Sequence, residues 1–259
     1  SLTGNLSVAG NLTVQQGTLN LSGHNLSVGG DISATGSGSI SSSSSSNITL
    51  SGSGNVGDIN FAAGGNMLGQ LNVNLTGNGS VALQSNVNIT GALNLNSGSL
   101  MVGSNQLTLS GSISGSGSIS TTASSGIVLS GSGNVGNLII GGGTIGNLTV
   151  SLSSGGSVSL NSNLTVNGML SVTGGTFNLN GYDLTLNGTV SVTGSGAIGG
   201  NIHSNLTVNS SGEVATLVFA GSGSTLNDVT IHIGGTGSIS MGSNLTVDGS
   251  LSLQNGSLS

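Results

Sequence analysis

Few residues in this chain could carry chemistry. Its 259 residues include six acids (Asp31, Asp58, Asp183, Glu213, Asp228 and Asp248), three histidines (His24, His203 and His232), and no Lys, Arg or Cys. An inverting glycosidase needs two carboxylates about 6.5–9.5 Å apart. Asp183 and Asp228 approach that requirement if the chain stacks in strands, because two strand spacings separate them by about 9.6 Å. Yet no cation is available to bind an acidic sugar or to stabilise developing charge. An internal repeat offers a second test, since each acid can be compared with the residue at the same phase elsewhere. Asp58 then matches Asn137 and Thr216, Glu213 matches Asn55 and Asn134, Asp183 matches Asn25 and Gln106, Asp228 matches Gln70 and Asn147, and Asp248 matches Asn167. Asp31 matches Ser112 and Thr189. Acids that replace amides and hydroxyls are expected in turns and ladders, so no enzyme is predicted.

The remaining candidates read the same way. His24, His203 and His232 fall at phases held elsewhere by Asn105 or Tyr182, Ser45 or Ser124, and Asn74 or Ser151, which predicts solvated histidines. Asp228 and His232 are four residues apart, roughly 13 Å along a strand, too far to share a metal. The glycine and aspartate pattern of calcium-binding rolls is absent. Two G-x-G-x-x-G matches occur, at Gly52, Gly54, Gly57 and at Gly131, Gly133, Gly136. A dinucleotide fingerprint requires a helix next, whereas DINF from Asp58 and NLII from Asn137 are strand-like. These glycines are predicted turns, and neither a cofactor nor a metal is expected.

The elements that position these residues are visible in a column of polar residues. It reads Asn5, Asn25, Asn47, Gln70, Asn86, Gln106, Gly126, Asn147, Asn163, Asp183, Asn205, Asp228 and Asn244. One and three residues after each member stands an apolar side chain, as in Leu6 and Val8, Ile48 and Leu50, or Val229 and Ile231. The residue between is Ser, Thr or Asn everywhere except Val128. This is the period-2 pattern of a half-buried strand. In a chain that is 34% apolar, chance would fill these sites with a probability of about 10⁻¹². An Asn at the same bend of successive strands can pass its amide hydrogen bonds up and down the stack, so the column predicts an Asn ladder.

The spacings along the column are 20, 22, 23, 16, then 20, 20, 21, 16, then 20, 22, 23, 16. Four coils thus form a repeat of about 80 residues, with units 4–84, 85–161 and 162–242 and a partial unit 243–259. Further strand-like pairs follow six to eight residues on, such as Leu12 and Val14 then Leu19 and Leu21, with Gly17, Gly98, Gly174 and Gly175 at the corners. The expected fold is all-β: a right-handed parallel β-helix, or β-solenoid, of about thirteen coils with three short strands per coil. It forms one continuous domain over 1–259, and the 16-residue coils are expected to be narrower or irregular. At about 4.8 Å per coil the array would be roughly 60 Å long. Each end should expose a rung of unpaired backbone groups, which fits either a segment of a longer array or ends that stack on other copies.

Composition narrows the partners. Without Lys or Arg, and with a net charge of −6, the chain cannot neutralise phosphates, so no nucleic acid is expected. The same absence removes every trypsin site, which suits an exposed extracellular setting. No apolar run reaches the roughly 18 residues of a membrane helix, so no membrane insertion is expected, and no stretch of the 259 residues reads as a signal peptide. Sequons such as those at Asn5, Asn47, Asn147 and Asn205 follow from the ladder and read as structural. Phe61, Phe177 and Phe219 fall at inward phases, leaving Tyr182 as the one aromatic able to face a sugar. A file of outward residues, Ser7, Ser27, Thr49, Asn72, Asn88, Thr108, Val128, Thr149, Thr165, Thr185, Thr207, Thr230 and Thr246, is similar to ice-binding solenoids. It is a single file, interrupted by Asn, Val and Ser.

The stretch SNLTVNGMLSVTGGTFNLNGYDLTLNGTV from Ser162 to Val190, with echoes at Gly4, Ser85 and Ser243, resembles repeat segments of very large secreted bacterial surface proteins. The adhesin-like proteins of Bacteroidota are the nearest in kind, and filamentous-haemagglutinin-type exoproteins are similar in architecture. The resemblance implies secretion to the cell surface, a right-handed parallel β-helix and a structural or adhesive role, and it brings no functional residue. The leading expectation is a structural protein that builds an extracellular filament, sheath or stalk by stacking end to end or laterally on itself. The alternatives are an adhesin stalk or module that binds surface glycans, and an ice-binding solenoid.

Overall fold

The computed structural model describes residues 1–34, 36–210, 216–221, 224–234 and 237–259. Glu213, expected above in a turn or ladder, lies outside them. The chain is an all-β parallel β-solenoid, and no α-helix occurs among the described residues. It divides into two compact units, Ser1–Thr121 and Thr122–Ser259. The division falls within the repeat 85–161.

In the first unit, successive short strands pair in parallel with strands about one turn further along. Leu6–Val8, Leu26–Val28, Asn47–Leu50, Gln70–Asn74, Leu93–Ser97 and Ile113–Ser114 form one ladder. Leu12–Val14 pairs with Ile32–Ala34, and Thr18–Asn20 with Ser39–Ser42. The latter ladder continues through Phe61–Leu68 to Val87–Ile89 and Gln106–Leu109. The second unit repeats the plan. Gly126–Leu129, Asn147–Ser151, Leu170–Asn178 and Val190–Gly199 form one ladder. Thr144–Ile145, Leu164–Val166, Leu184–Leu186, Leu206–Ser210, Val229–Ile233 and Leu251–Asn255 form another.

The pairing follows from the triplets. Alternation turns Leu26 and Val28, Leu71 and Val73, or Leu184 and Leu186 inward, where all are at most 1% exposed, and leaves Ser27, Asn72 and Thr185 half-exposed. In-register stacking then places the inward apolar residues of these triplets on one another, as Leu26 on Ile48 and Leu184 on Leu206, and their outward polar residues on one another, as Ser27 on Thr49. A single rung is two-dimensional and cannot enclose its own apolar side chains, so its stability comes from its neighbours.

The register corrects one feature of the sequence reading. The triplet at Leu71 does not stack on the one at Val87, 16 residues later. Leu71 pairs with Leu93, while Asn88 and Ile89 pair with Met67 and Leu68. Likewise Leu148 pairs with Leu170 while Thr165 pairs with Thr144, and Val229 pairs with Leu251 while Thr246 pairs with Thr225. There is thus no narrow 16-residue turn at these points. The step is 22 residues, because the distance around the wall is set by the strands already laid down. The short spacing instead moves the Asn-Leu-Thr-Val pattern onto a different ladder.

Glycine serves this wall at the bends. Gly146, Gly168 and Gly188 stand in one column, and a Cβ on Gly188 would collide with the carbonyl oxygen of Gly168. Gly69, Gly91 and Gly111 make the same column in the first unit, with the Gly91 carbonyl against Gly111. Here glycine is required for backbone approach, a role that does not depend on φ.

Candidate functional site: the amide ladders

Asn163, Asp183, Asn205 and Asp228 precede four strands of one ladder and are linked at every step. Asn163 Oδ1 accepts the Asp183 N–H at 3.0 Å, and Asn163 Nδ2 donates to Asp183 Oδ2 at 3.2 Å. Asn205 Nδ2 donates to Asp183 Oδ1 at 2.7 Å, while Asn205 Oδ1 accepts the Asp228 N–H at 3.1 Å and Asn227 Nδ2 at 3.0 Å. In the first unit Asn25 donates its N–H to Asn5 Oδ1 at 2.9 Å, and Asn47 donates both its N–H and Nδ2 to Asn25 Oδ1, at 3.2 and 3.0 Å. Gln106 N donates to Asn86 Oδ1 at 2.8 Å. The side chain thus caps the next rung's backbone at the bend.

The ladder breaks where the register shifts. Asn147 Oδ1 accepts the N–H of Met169 at 2.8 Å, and not that of Asn163. Asp228 Oδ1 accepts the N–H and the hydroxyl of Ser250, at 2.8 and 2.7 Å. Asn244 instead precedes Thr246–Val247, which pairs with Thr225–Leu226. Gln70 similarly opens the strand Gln70–Asn74 that pairs with Leu93–Ser97, so Asn86 is not the residue above it. The single column read from sequence is therefore a succession of shorter columns.

This arrangement fixes what the acids can do. Asp183 and Asp228 stand two rungs apart with Asn205 between them, and their carboxylates accept bonds from neighbouring rungs. The Ser250 hydroxyl, and then its backbone N–H, hold the Asp228 carboxyl below the usual aspartate range. A general acid needs the opposite shift. Because the folded-state pKa of Asp228 is depressed, its contribution to stability is present above the unfolded value near 3.8 and is lost as pH falls through the folded value. Thermal unfolding of wild type and Asp228→Asn across that acid range should show the wild type losing stability more steeply, with the two curves converging at low pH.

The other candidates are placed as follows. Gly54 and Gly57 (φ 67° and 94°) and Gly133 and Gly136 (φ 70° and 110°) bend strands Ser53–Ile59 and Ser132–Leu138, with no helix after them. His232 and His203 are exposed, His24 is half-exposed, and His232 Nδ1 lies 3.1 Å from Gln254 Oε1. No group of three or more His, Cys, Asp or Glu that could hold a metal occurs among the described residues. Phe61, Phe177 and Phe219 are buried, while the Tyr182 hydroxyl meets Asn161 Oδ1 at 3.3 Å on the outside.

Two sets of polar residues were missed from sequence. Outward residues form ladders of their own: Asn72 Nδ2 donates to Thr49 Oγ1, Asn94 Nδ2 to Asn72 Oδ1, and Ser114 Oγ to Asn94 Oδ1. The second unit has Asn187 Nδ2 on Asn167 Oδ1 at 2.7 Å and Asn209 Nδ2 on Asn187 Oδ1 at 3.2 Å. The other set is Ser46, Ser125 and Ser204, each fully buried immediately before a column residue. Each closes a tight turn, donating its N–H to Ser43, Thr122 or Asn201. The signal was a constant 79-residue interval (125 − 46 and 204 − 125). Ser204 Oγ accepts the N–H of Gly181 at 2.9 Å and of Asn201 at 3.3 Å. Ser204→Ala should therefore cost about 1–2 kcal/mol by leaving two part-buried donors without this acceptor, read as a lower denaturant midpoint.

No protein-family model, curated protein or solved structure matches this chain.

Proposed function

We propose that this chain is a structural protein, a right-handed, three-faced parallel β-helix running as one solenoid through 1–259 and serving in an extracellular filament, sheath or stalk. The observation that carries this reading is the stepwise identity of the ladders. From Leu164–Val166 through Val229–Ile233, each rung offers its successor the same apolar pair inside, the same hydroxyl outside and the same type of amide or carboxylate cap at the bend. A structure of this kind grows by addition of like rungs, and its partner is another copy of itself. Lateral association draws on faces of Ser, Thr and Asn with no cation and few acids to repel one another. The lack of any trypsin site accords with an exposed extracellular setting.

Electron microscopy of the purified protein tests this. Filaments with an axial repeat near 4.8 Å are the expected result. Particles that remain monomeric by sedimentation as concentration is raised would overturn self-assembly and favour the adhesin-stalk reading.

A further inference from the structure

The register of the second unit assembles a surface that the sequence column does not contain. Thr144, Thr165, Thr185, Thr207 and Thr230 occupy consecutive positions on one parallel ladder, and Ser252 follows. The Asn and Val interruptions of the sequence-level file belong to other ladders, and Thr144, which was not part of that file, joins here. Thr165, Thr185, Thr207 and Thr230 are each half-exposed between two inward apolar neighbours, as Thr185 is between Leu184 and Leu186. The file is therefore an unbroken row of threonines at the strand spacing of about 4.8 Å.

Its flanks differ from it in hydrogen bonding. On one side runs Asn163–Asp183–Asn205–Asp228 and on the other Asn167–Asn187–Asn209, both tied along their own columns. By contrast, the hydroxyls of Thr165, Thr185, Thr207 and Thr230 make no hydrogen bond to the protein. Four in-register hydroxyls, each beside its own methyl group and fenced by amides already engaged, must complete their bonds outside the chain. The groups that bind them inherit the spacing of the strands. No cation and no aromatic ring lies in the file, so neither an anionic ligand nor a stacked sugar is favoured. The ligand that matches a periodic hydroxyl and methyl surface is water itself in an ordered lattice.

We propose that the threonine file of the second unit binds the surface of ice. Thr165, Thr185, Thr207 and Thr230 hydrogen-bond a row of lattice waters, their methyl groups occupy the gaps between those waters, and the flanking ladders keep the row rigid. This is independent of filament formation.

The test uses the whole purified chain in three assays: the gap between melting and freezing of a single ice crystal, the crystal's shape, and partition into slowly grown ice. Wild type should shape the crystal and enter the ice. The double variant T185Y/T207Y, which leaves the core untouched, should lose both activities while keeping the wild-type circular dichroism. Ser27→Tyr, outward on the first unit, should keep both. T185S/T207S retains the hydroxyls and folds more safely, and it should show a reduced freezing gap through loss of the methyl groups. Unshaped ice with wild type, or a gap unchanged in either double variant, overturns the proposal. Retention on insoluble cellulose or chitin without ice shaping also overturns it, in favour of a glycan surface.

Discussion

Phe177→Ala should lower the stability of the second unit by about 3–5 kcal/mol, the largest single loss expected in the chain. Phe177 is fully buried in the strand Leu170–Asn178, and its register neighbours above and below are Val158 and Ile198, both also fully buried. Ile198 in turn bridges to Phe219. Removing the ring leaves a void within a stack whose rungs are held in place by ladders on either side, so the wall cannot collapse to fill it. Denaturant unfolding should show a lower midpoint with the slope retained. Ser171→Ala, at an outward position of the same strand, should stay within about 0.5 kcal/mol of wild type.

Gly188→Val should come next, at the upper end of the roughly 1–3 kcal/mol typical of overpacking. The added Cβ would meet the carbonyl oxygen of Gly168, and the carbonyl of Asn167 stands 2.8 Å from the same point. These are backbone atoms of the preceding rung, so no rotamer change relieves the clash, and the strands on either side of the bend must separate. Gly10→Val is the matched control, because a Cβ on Gly10 meets nothing within 4 Å and its φ is not positive. Gly10→Val should unfold within about 0.5 kcal/mol of wild type. A small effect at Gly188 would mean that the rungs at this bend are further apart than the ladders Leu148–Leu170 and Leu170–Val190 require.

The sequence carries the alternating triplets, and the residues that stack in register are largely those whose spacing announces them. Leu6 on Leu26, Leu164 on Leu184 and Leu184 on Leu206 follow the column as read. The ladder caps at Asn25, Asn47, Asp183 and Asn205 were legible for the same reason, since an amide before each apolar triplet has one place to go in a stack. What misled was the 16-residue interval. After Asn147 two apolar-polar-apolar triplets compete for the next rung, Leu164-Thr165-Val166 and Leu170-Ser171-Val172. Similarity of pattern favours the first. The structure selects the second, because only 22 residues reach once around the wall, and Asn147 Oδ1 then caps Met169.

From its own pattern the sequence determined that this chain is β, parallel and coiled, with Leu, Val and Ile inside and amides at the bends, because period 2 and a turn near twenty residues admit little else. It also placed Asp183 and Asp228 in a polar column, since amides stand at the same phases elsewhere in the repeat. Only the tertiary structure decided which ladder each triplet joins. That choice depends on the path length around the preceding rung, a quantity spread over many corners and recorded at no single residue. It gathered Thr144, Thr165, Thr185, Thr207 and Thr230 into one file and set Gly188 against Gly168, neither of which the linear column contains.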